Sequence, residues 1–452
     1  MRLYYKKQYL TALERLSEVQ TEIVNLIEKK QSQEAADILE QCQQEAIRIG
    51  TAVEESEGEG TEAVHSLEQY CELIYQLYEE VLQGATVNGR QRVKKLQKLL
   101  QKAESSLRHE IRTQKEAVFL PYKASMWDSL ESVWKVANED PDCNAVVVPI
   151  PYYDKNPDGT FREMHYEIDQ FPADVPVVHY TVYDFGKNHP DKIFIHNPYD
   201  DGNYVTSVHP FFFSENLKRY TDELIYIPYF ILNEIDPSNE EAVKGMEHFC
   251  MTAGVVNADR VIVQSEAMKQ IYVNVLSKYL GEEKRPYWQE KILGLGSPKV
   301  DRVCNPRSED LELPEEWERL VQTEAGARKK IIFYNTSVSA LLHHGEDMLA
   351  KMEEVFRVFE EHRDTVTLLW RPHPLIEATL TSMRPALWET YEGMVQKYQA
   401  AGWGIYDDSA NMNRAIAVSD GYYGDWSSIV WLYQKTGKPI MIQDCAVREG
   451  TH

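Results

Sequence analysis

Two series of short, unbroken apolar runs place the tightest limit on this fold. NAVVVPI (144–150), VPVVHY (175–180), KIFIHN (192–197), ELIYIPY (223–229) and RVIVQS (260–265) form the first series. KKIIFYNTS (329–337), TVTLLWRPHP (365–374), GWGIYDD (402–408), AVSDGYYGDWSS (417–428) and KPIMIQD (438–444) form the second. A half-exposed strand alternates apolar and polar residues, whereas a strand covered on both faces does not. Amphipathic stretches at 127–137, 241–256 and 347–362 lie between the runs. The pattern therefore predicts an α/β chain with two parallel-sheet, Rossmann-type domains in tandem, meeting at a cleft.

The first 120 residues have a different texture. They contain no proline, and apolar residues return at spacings of three and four: Leu10, Leu13, Leu16, Val19, Ile23, Leu26 and Ile27 form one stripe. Similar stripes at 38–49, 67–81 and 93–111 predict four helices, broken near Gln31, at 54–61 and at 84–89. Each helix has one apolar face to bury, so a helical bundle or coiled coil precedes the α/β body, and it offers a surface for homo-oligomerisation. The boundaries expected from these changes are 1–118 for the helices, 119–285 for the first α/β domain and 286–452 for the second.

Charge and cysteine usage narrow the partners. With 72 acidic against 48 basic residues, a formal charge of -24, the chain is unsuited to nucleic acid, although a local basic pocket remains compatible. No run of about eighteen apolar residues and no signal-peptide core appear, which points to the cytosol, with peripheral attachment to the inner face of a membrane still allowed. The six cysteines (Cys42, Cys71, Cys143, Cys250, Cys304 and Cys445) form no CxxC pair, and neither a metal site nor a disulfide framework is expected.

Ligands of open α/β sheets sit outside the carboxyl ends of the strands. In the second series, RPHP puts Arg371 and His373 after a strand, in a loop stiffened by prolines. The guanidinium matches phosphate geometry and the imidazole can donate to a leaving phosphate; a surface turn with a salt bridge reads equally simply. GDWSS brings Asp425, Ser427 and Ser428 to the start of an apolar helix, where an anion or plain capping fits. YNTS repeats the arrangement with Tyr334, Asn335, Thr336 and Ser337. Gly296, Ser297 and Pro298, in GLGSPKVDRV, lie at the domain junction as a hinge near nucleotide or as an ordinary turn, without the spacing of a dinucleotide or Walker loop. In the first domain His196 ends a strand and is expected to face the cleft as a general base.

Between about Lys123 and Asp444 these elements resemble the CDP-glycerol glycerophosphotransferase family, the teichoic acid polymerases and primases, of GT-B architecture. GSPKVDRV is similar to its glycine-proline-basic-x-aspartate element, FYNTS stands where that family has a tyrosine-alanine-proline-threonine turn, RPHP resembles its arginine-x-histidine-proline loop, and GDWSS its threonine-aspartate-tyrosine-serine-serine element. Here Asn197 follows His196 where the family has glycine, and Trp426 precedes the paired serines in place of tyrosine. The resemblance implies a nucleotide-donor domain in which Arg371, His373, Ser427 and Ser428 hold the donor pyrophosphate, joined by Thr336 and Ser337. Gly296, Ser297, Pro298, Tyr334 and Asp425 would line the nucleotide, and His196 in the acceptor domain would take the acceptor's proton.

The implied reaction moves a glycerophosphate or other polyol-phosphate group from a CDP-linked donor to a polyol or glycan acceptor, in bacterial envelope or capsular polymer synthesis. No cofactor and no metal are required. Two other readings stay open at this point: a GT-B glycosyltransferase using a nucleotide sugar, and a non-catalytic ligand-binding scaffold assembled through its helices.

Overall fold

The computed structural model describes residues 1–84, 88–409 and 411–446. Helices α1 (Leu3–Glu28), α2 (Ser32–Glu57), α3 (Glu62–Leu82) and α4 (Gly89–His109) form an up-down bundle closed by α1 against α4. Their stripes meet inside it: Leu13, Leu16, Ile23, Leu39, Ile49, Leu67, Ile74, Leu77, Leu96 and Leu100 are all buried. The break before α2 falls at Lys29–Gln31 and the one before α3 in the acidic, glycine-bearing segment, and Thr61 and Asn88 cap α3 and α4 with side-chain acceptors.

The body begins with β1 (Lys115–Leu120) and β2 (Cys143–Val147). A three-stranded antiparallel patch follows, from β3 (Tyr152–Lys155), β4 (Phe161–His165) and, after β5 (Lys192–Ile195), β6 (Thr206–Val208). With β7 (Glu223–Tyr226), β8 (Arg260–Ile262) and β9 (Ile292–Leu293) the first main sheet is parallel, in the order β2-β1-β5-β7-β8-β9. Alternate residues of β1 serve opposite cores, Val118 and Leu120 on one face and Ala117 and Phe119 on the other. That double burial is the physical cause of the unbroken apolar runs.

The second sheet comprises β10 (Lys330–Thr336), β11 (Val366–Pro372), β12 (Ile405–Tyr406), β13 (Gly421–Gly424) and β14 (Ile440–Ile442). It too is parallel, ordered β12-β11-β10-β13-β14, with Ile331 and Phe333 in one core and Tyr334 in the other. The chain is thus an all-α bundle followed by two Rossmann-type units.

Three expectations shift. VPVVHY forms only an isolated bridge, Val177 to Val147, because Pro176 withholds a ladder donor. The first sheet starts at Lys115, ahead of the boundary at 118, and keeps β9 by pairing Val261 with Ile292, so it runs past residue 285.

Candidate functional site

Strand order locates the crevice. In the second sheet the chain proceeds outward from β10 through β11 and β12, then crosses to β13 and β14, so the connections after β10 and β13 leave in opposite directions while the two strands stay paired. Register sets Asn335 opposite both Arg371 and Gly424. Asn335 joins the three strand ends: its amide donates to the Arg371 carbonyl (2.9 Å), its backbone oxygen accepts from the Asp425 amide (3.0 Å), and its side-chain oxygen accepts weakly from Ser427 Oγ (3.4 Å). Gly424 is required there, because a Cβ would lie 2.3 Å from the Asn335 carbonyl oxygen.

Four expected residues reach the rim. Ser337 is half-buried, with its hydroxyl accepting from the Ala340 amide. Ser427 is half-buried, and Ser428 and His373 are exposed. The His373 amide donates to the Thr336 carbonyl at 3.0 Å, which ties this loop to β10. Its Nδ1 accepts from the Leu375 amide (3.1 Å), which leaves Nε2 carrying the ring proton in the neutral form. Crowding by the loop disfavours its charged form and holds its pKa below the usual value.

Four others turn inward. Tyr334 is 0% exposed and donates to Gln443 Oε1 (3.0 Å), because its place in the strand alternation points it into the core under the helix Glu346–Glu361. Thr336 is equally buried, its hydroxyl accepting from the Trp370 indole (3.1 Å). The Asp425 carboxylate bridges the Ser337 amide (2.6 Å) and Gln443, and burial raises its pKa. Direct contact of Tyr334, Thr336 or Asp425 with a nucleotide is therefore replaced by a supporting place behind the rim. Arg371 is 8% exposed and already engaged, with Asp407 at 2.6 Å and the Ser409 carbonyl at 2.7 Å. It lines a cavity of about 430 Å³ together with His373, Trp388, Tyr406 and Asp407. Asp407 was not singled out in the sequence, although a second acid after a strand in GWGIYDD was the available signal.

His196 overturns its expected placement. It is 0% exposed, Nε2 accepts from the Tyr122 amide (3.0 Å) and Nδ1 donates to Ser129 Oγ (2.8 Å). Burial, helped by the nearby Lys299 ammonium, pushes its pKa down to about 3. A ring with both nitrogens engaged and no exposed surface braces the ends of β1 and β5 and does not face the cleft.

Gly296, Ser297 and Pro298 belong to the edge of the first sheet. The Gly296 amide donates to the Val263 carbonyl (3.2 Å), and Gly296 and Ser297 line a small pocket with Ile227 and Tyr272. Ser297 caps the helix Pro298–Cys304, which packs on both Glu131–Glu139 and Ser428–Gln434 and so touches both units. Ion pairs reinforce this junction: Lys299 with Asp128 (2.6 Å), Arg302 with Asp310 (2.8 Å) and Arg307 with Glu131 (2.7 Å). Burial alone would raise the Glu131 pKa, but Lys135 and Arg307 outweigh it and hold the carboxyl low.

Among the described residues one group has metal-ligand chemistry, Asp154, Glu163 and His165 on the β3–β4 hairpin, and the Asp154 carboxylate there already pairs with Arg162 (2.9 Å) and His165 (3.0 Å). No described helix is long and apolar enough to cross a membrane.

No protein-family model matches this chain, and no curated protein matches it in sequence. Among solved structures it is similar to the UDP-GlcNAc 2-epimerase of Neisseria meningitidis bound to UDP-GlcNAc, at 11% identity over 72% of this chain and 82% of that one, with a TM-score of 0.40. The Methanocaldococcus jannaschii UDP-GlcNAc 2-epimerase in complex with UDP-GlcNAc and UDP gives 11%, 73%, 83% and 0.41. The wall teichoic acid polymerase TagF gives 14%, 72%, 68% and 0.37. Likeness at these values concerns overall layout and says nothing of substrate.

Proposed function

We propose that this protein is a transferase that moves a polyol-phosphate group, of the glycerophosphate kind, from a CDP-activated donor to an acceptor hydroxyl in envelope or capsular polymer synthesis. The support for the reading is the reversal of strand order between β10 and β13, at whose carboxyl ends lie the hydroxyls of Ser337, Ser427 and Ser428, with the His373 loop tied to β10. Those are hydrogen-bond donors suited to a diphosphate. Ser427 and Ser428 come from GDWSS and His373 from RPHP, the elements that resemble the donor-phosphate motifs of the CDP-glycerol glycerophosphotransferases, and Ser337 comes from YNTS.

In this reading the acceptor oxygen forms a bond to the donor's β-phosphorus, the bond to the bridging oxygen breaks, CMP leaves, and the acceptor's proton passes to solvent. His373 Nε2–H and the serine hydroxyls stabilise charge on the departing phosphate. Arg371 contributes by fixing the loop through Asp407, and its charge reaches the phosphate only if that pair opens. His196 has no part in proton transfer. The test is nucleotide release from CDP-glycerol, CDP-ribitol and UDP-N-acetylglucosamine: CMP release is expected, lowered about a hundredfold by His373→Ala. UDP release with sugar transfer, or full turnover by a folded His373→Ala protein, overturns the reading.

A further inference from the structure

Two helices of the bundle carry opposite charge. α4 bears lysines and arginines along its length and a single acid, Glu104, whereas α2 bears carboxylates along its length and a single base, Arg48. Both pack on α1 and on α3, so α3 lies between them on the side of the bundle opposite α1. The bundle meets the α/β body through the start of α1, where Arg2 and Tyr5 donate to the carbonyls of His189 and Lys187 and Lys7 pairs with Asp222. The outer face of α3 is left to solvent, with Glu68, Glu72, Tyr75 and Glu79 all exposed.

The two seams of α3 show which charges reach that face. Between α3 and α4 runs a groove of about 460 Å³, with Lys95, Lys98 and Lys102 on one wall and Glu72, Leu73 and Gln76 on the other. Lys102 pairs with Glu62 (3.3 Å), while Lys95 and Lys98 are exposed and belong to no ion pair among the described residues. Between α2 and α3 the Gln43 amide donates to the Cys71 carbonyl (3.1 Å), and Gly50 lies against Leu67. Glu40, Ile47 and Glu54 stand three or four positions from Gln43 or Gly50, on the same stripe of α2, and are exposed. The face therefore runs from a basic edge, across the apolar groups of Leu99, Leu73, Tyr75 and Ile47, to an acidic edge.

A surface of that kind is complementary to itself. A two-fold axis parallel to α3 lays the face on its own copy with the edges exchanged, basic on acidic at both sides. In the up-down bundle α2 and α4 run in the same direction, and Glu40 and Lys95 both flank the part of α3 around residues 71–73, so opposite charges meet at similar levels. An anionic membrane would attract the lysines but repel Glu40, Glu54 and the acids of α3 on the same face, and a partner of one sign meets the same conflict. The net charge of -24 does not prevent the contact, because at physiological salt charges act over only about 8 Å and the local pairing decides. With α3 about 30 Å long and its two neighbours about 20 Å apart, each copy covers about 600 Å², the lower limit for a stable pair. We propose that this face joins two copies of the chain in a two-fold dimer, α4 of each lying on α2 of the other.

Sedimentation velocity on the full chain, from about 1 to about 100 µM, tests it. A dimer with a micromolar dissociation constant is expected, weakened about tenfold when sodium chloride rises from about 0.1 to about 0.5 M. Lys95→Glu with Lys98→Glu sets acid against acid, and Glu40→Lys with Glu54→Lys sets base against base. Each pair of substitutions, all at exposed positions, is expected to leave a monomer with the circular dichroism of the parent. Mixing the two monomeric variants is expected to restore assembly as a heterodimer, because every edge then meets its opposite, and neither misfolding nor an interface elsewhere produces that rescue. A parent that stays monomeric over the whole range, a dimer indifferent to both pairs of substitutions, or no heterodimer on mixing would overturn the proposal. So would a monomeric parent held by phosphatidylglycerol vesicles and released by Lys95→Glu with Lys98→Glu, which would assign the face to a membrane.

Discussion

Acid is expected to loosen the first sheet through one side chain. His196 is neutral and fully enclosed, with Nε2 taking the Tyr122 amide and Nδ1–H given to Ser129, and its pKa is lowered from 6.5 to about 3 by burial and by the Lys299 charge. In the unfolded chain the same ring titrates near 6.5. Between the two values the unfolded state binds a proton that the folded state refuses. The contribution of this residue is therefore complete above pH 6.5 and declines as the pH falls toward 3. Each pH unit inside that window removes about 1.4 kcal/mol, so going from about pH 8 to about pH 5 removes about 2 kcal/mol. His196→Gln keeps an acceptor for the Tyr122 amide but takes up no proton. The difference between the urea-unfolding curves of parent and variant across that range isolates the effect from other titrating groups. Hydrogen exchange at the Tyr122 amide reports it locally. Parallel curves for the two proteins, or a His196 ring that titrates near its ordinary pKa in the folded state, would refute the reasoning.

Other outcomes follow from the second sheet. Gly424→Ala drives a Cβ against the Asn335 carbonyl and is expected to cost about 3 kcal/mol or more, read as a large fall in melting temperature; a change of a degree or less would show that the strand ends can separate freely. Asp407→Asn leaves the buried Arg371 guanidinium without its counter-charge and should lower stability by about 3–5 kcal/mol in thermal unfolding, whereas an unaltered transition would mean the pair is already open to solvent. Tyr334→Phe loses the hydrogen bond to Gln443 and should cost about 1 kcal/mol without altering CDP binding; weakened CDP binding would place this hydroxyl at the ligand after all.

Much of the candidate site was legible because strand ends announce themselves. Apolar runs closing in YNTS, RPHP and GDWSS predicted three loops on one edge, and the parallel order of β11, β10 and β13 brings them together. Side-chain direction was less legible. Tyr334 and Thr336 both lie among the last residues of a strand buried on both faces, so their polar groups are met by Gln443 and Trp370, which are distant in sequence. Arg371 read as a free phosphate ligand because nothing near it in the chain reveals that Asp407, at the end of another strand, holds it.

Local pattern alone determined the four helices and, VPVVHY apart, the apolar strands of the two series and their parallel character, since periodicity and unbroken apolarity are properties of neighbouring residues; β1 and the antiparallel patch of β3, β4 and β6 were not among the runs it marked. Only the tertiary structure decided that His196 is enclosed, that Asp425 faces inward, and that Asp128, Glu131, Arg302, Arg307 and Asn413 surround one cavity. Burial and pairing are set by which elements pack together across long stretches of chain, and the free energy of a charged or hydrogen-bonding group depends on those neighbours far more than on the residues beside it in sequence.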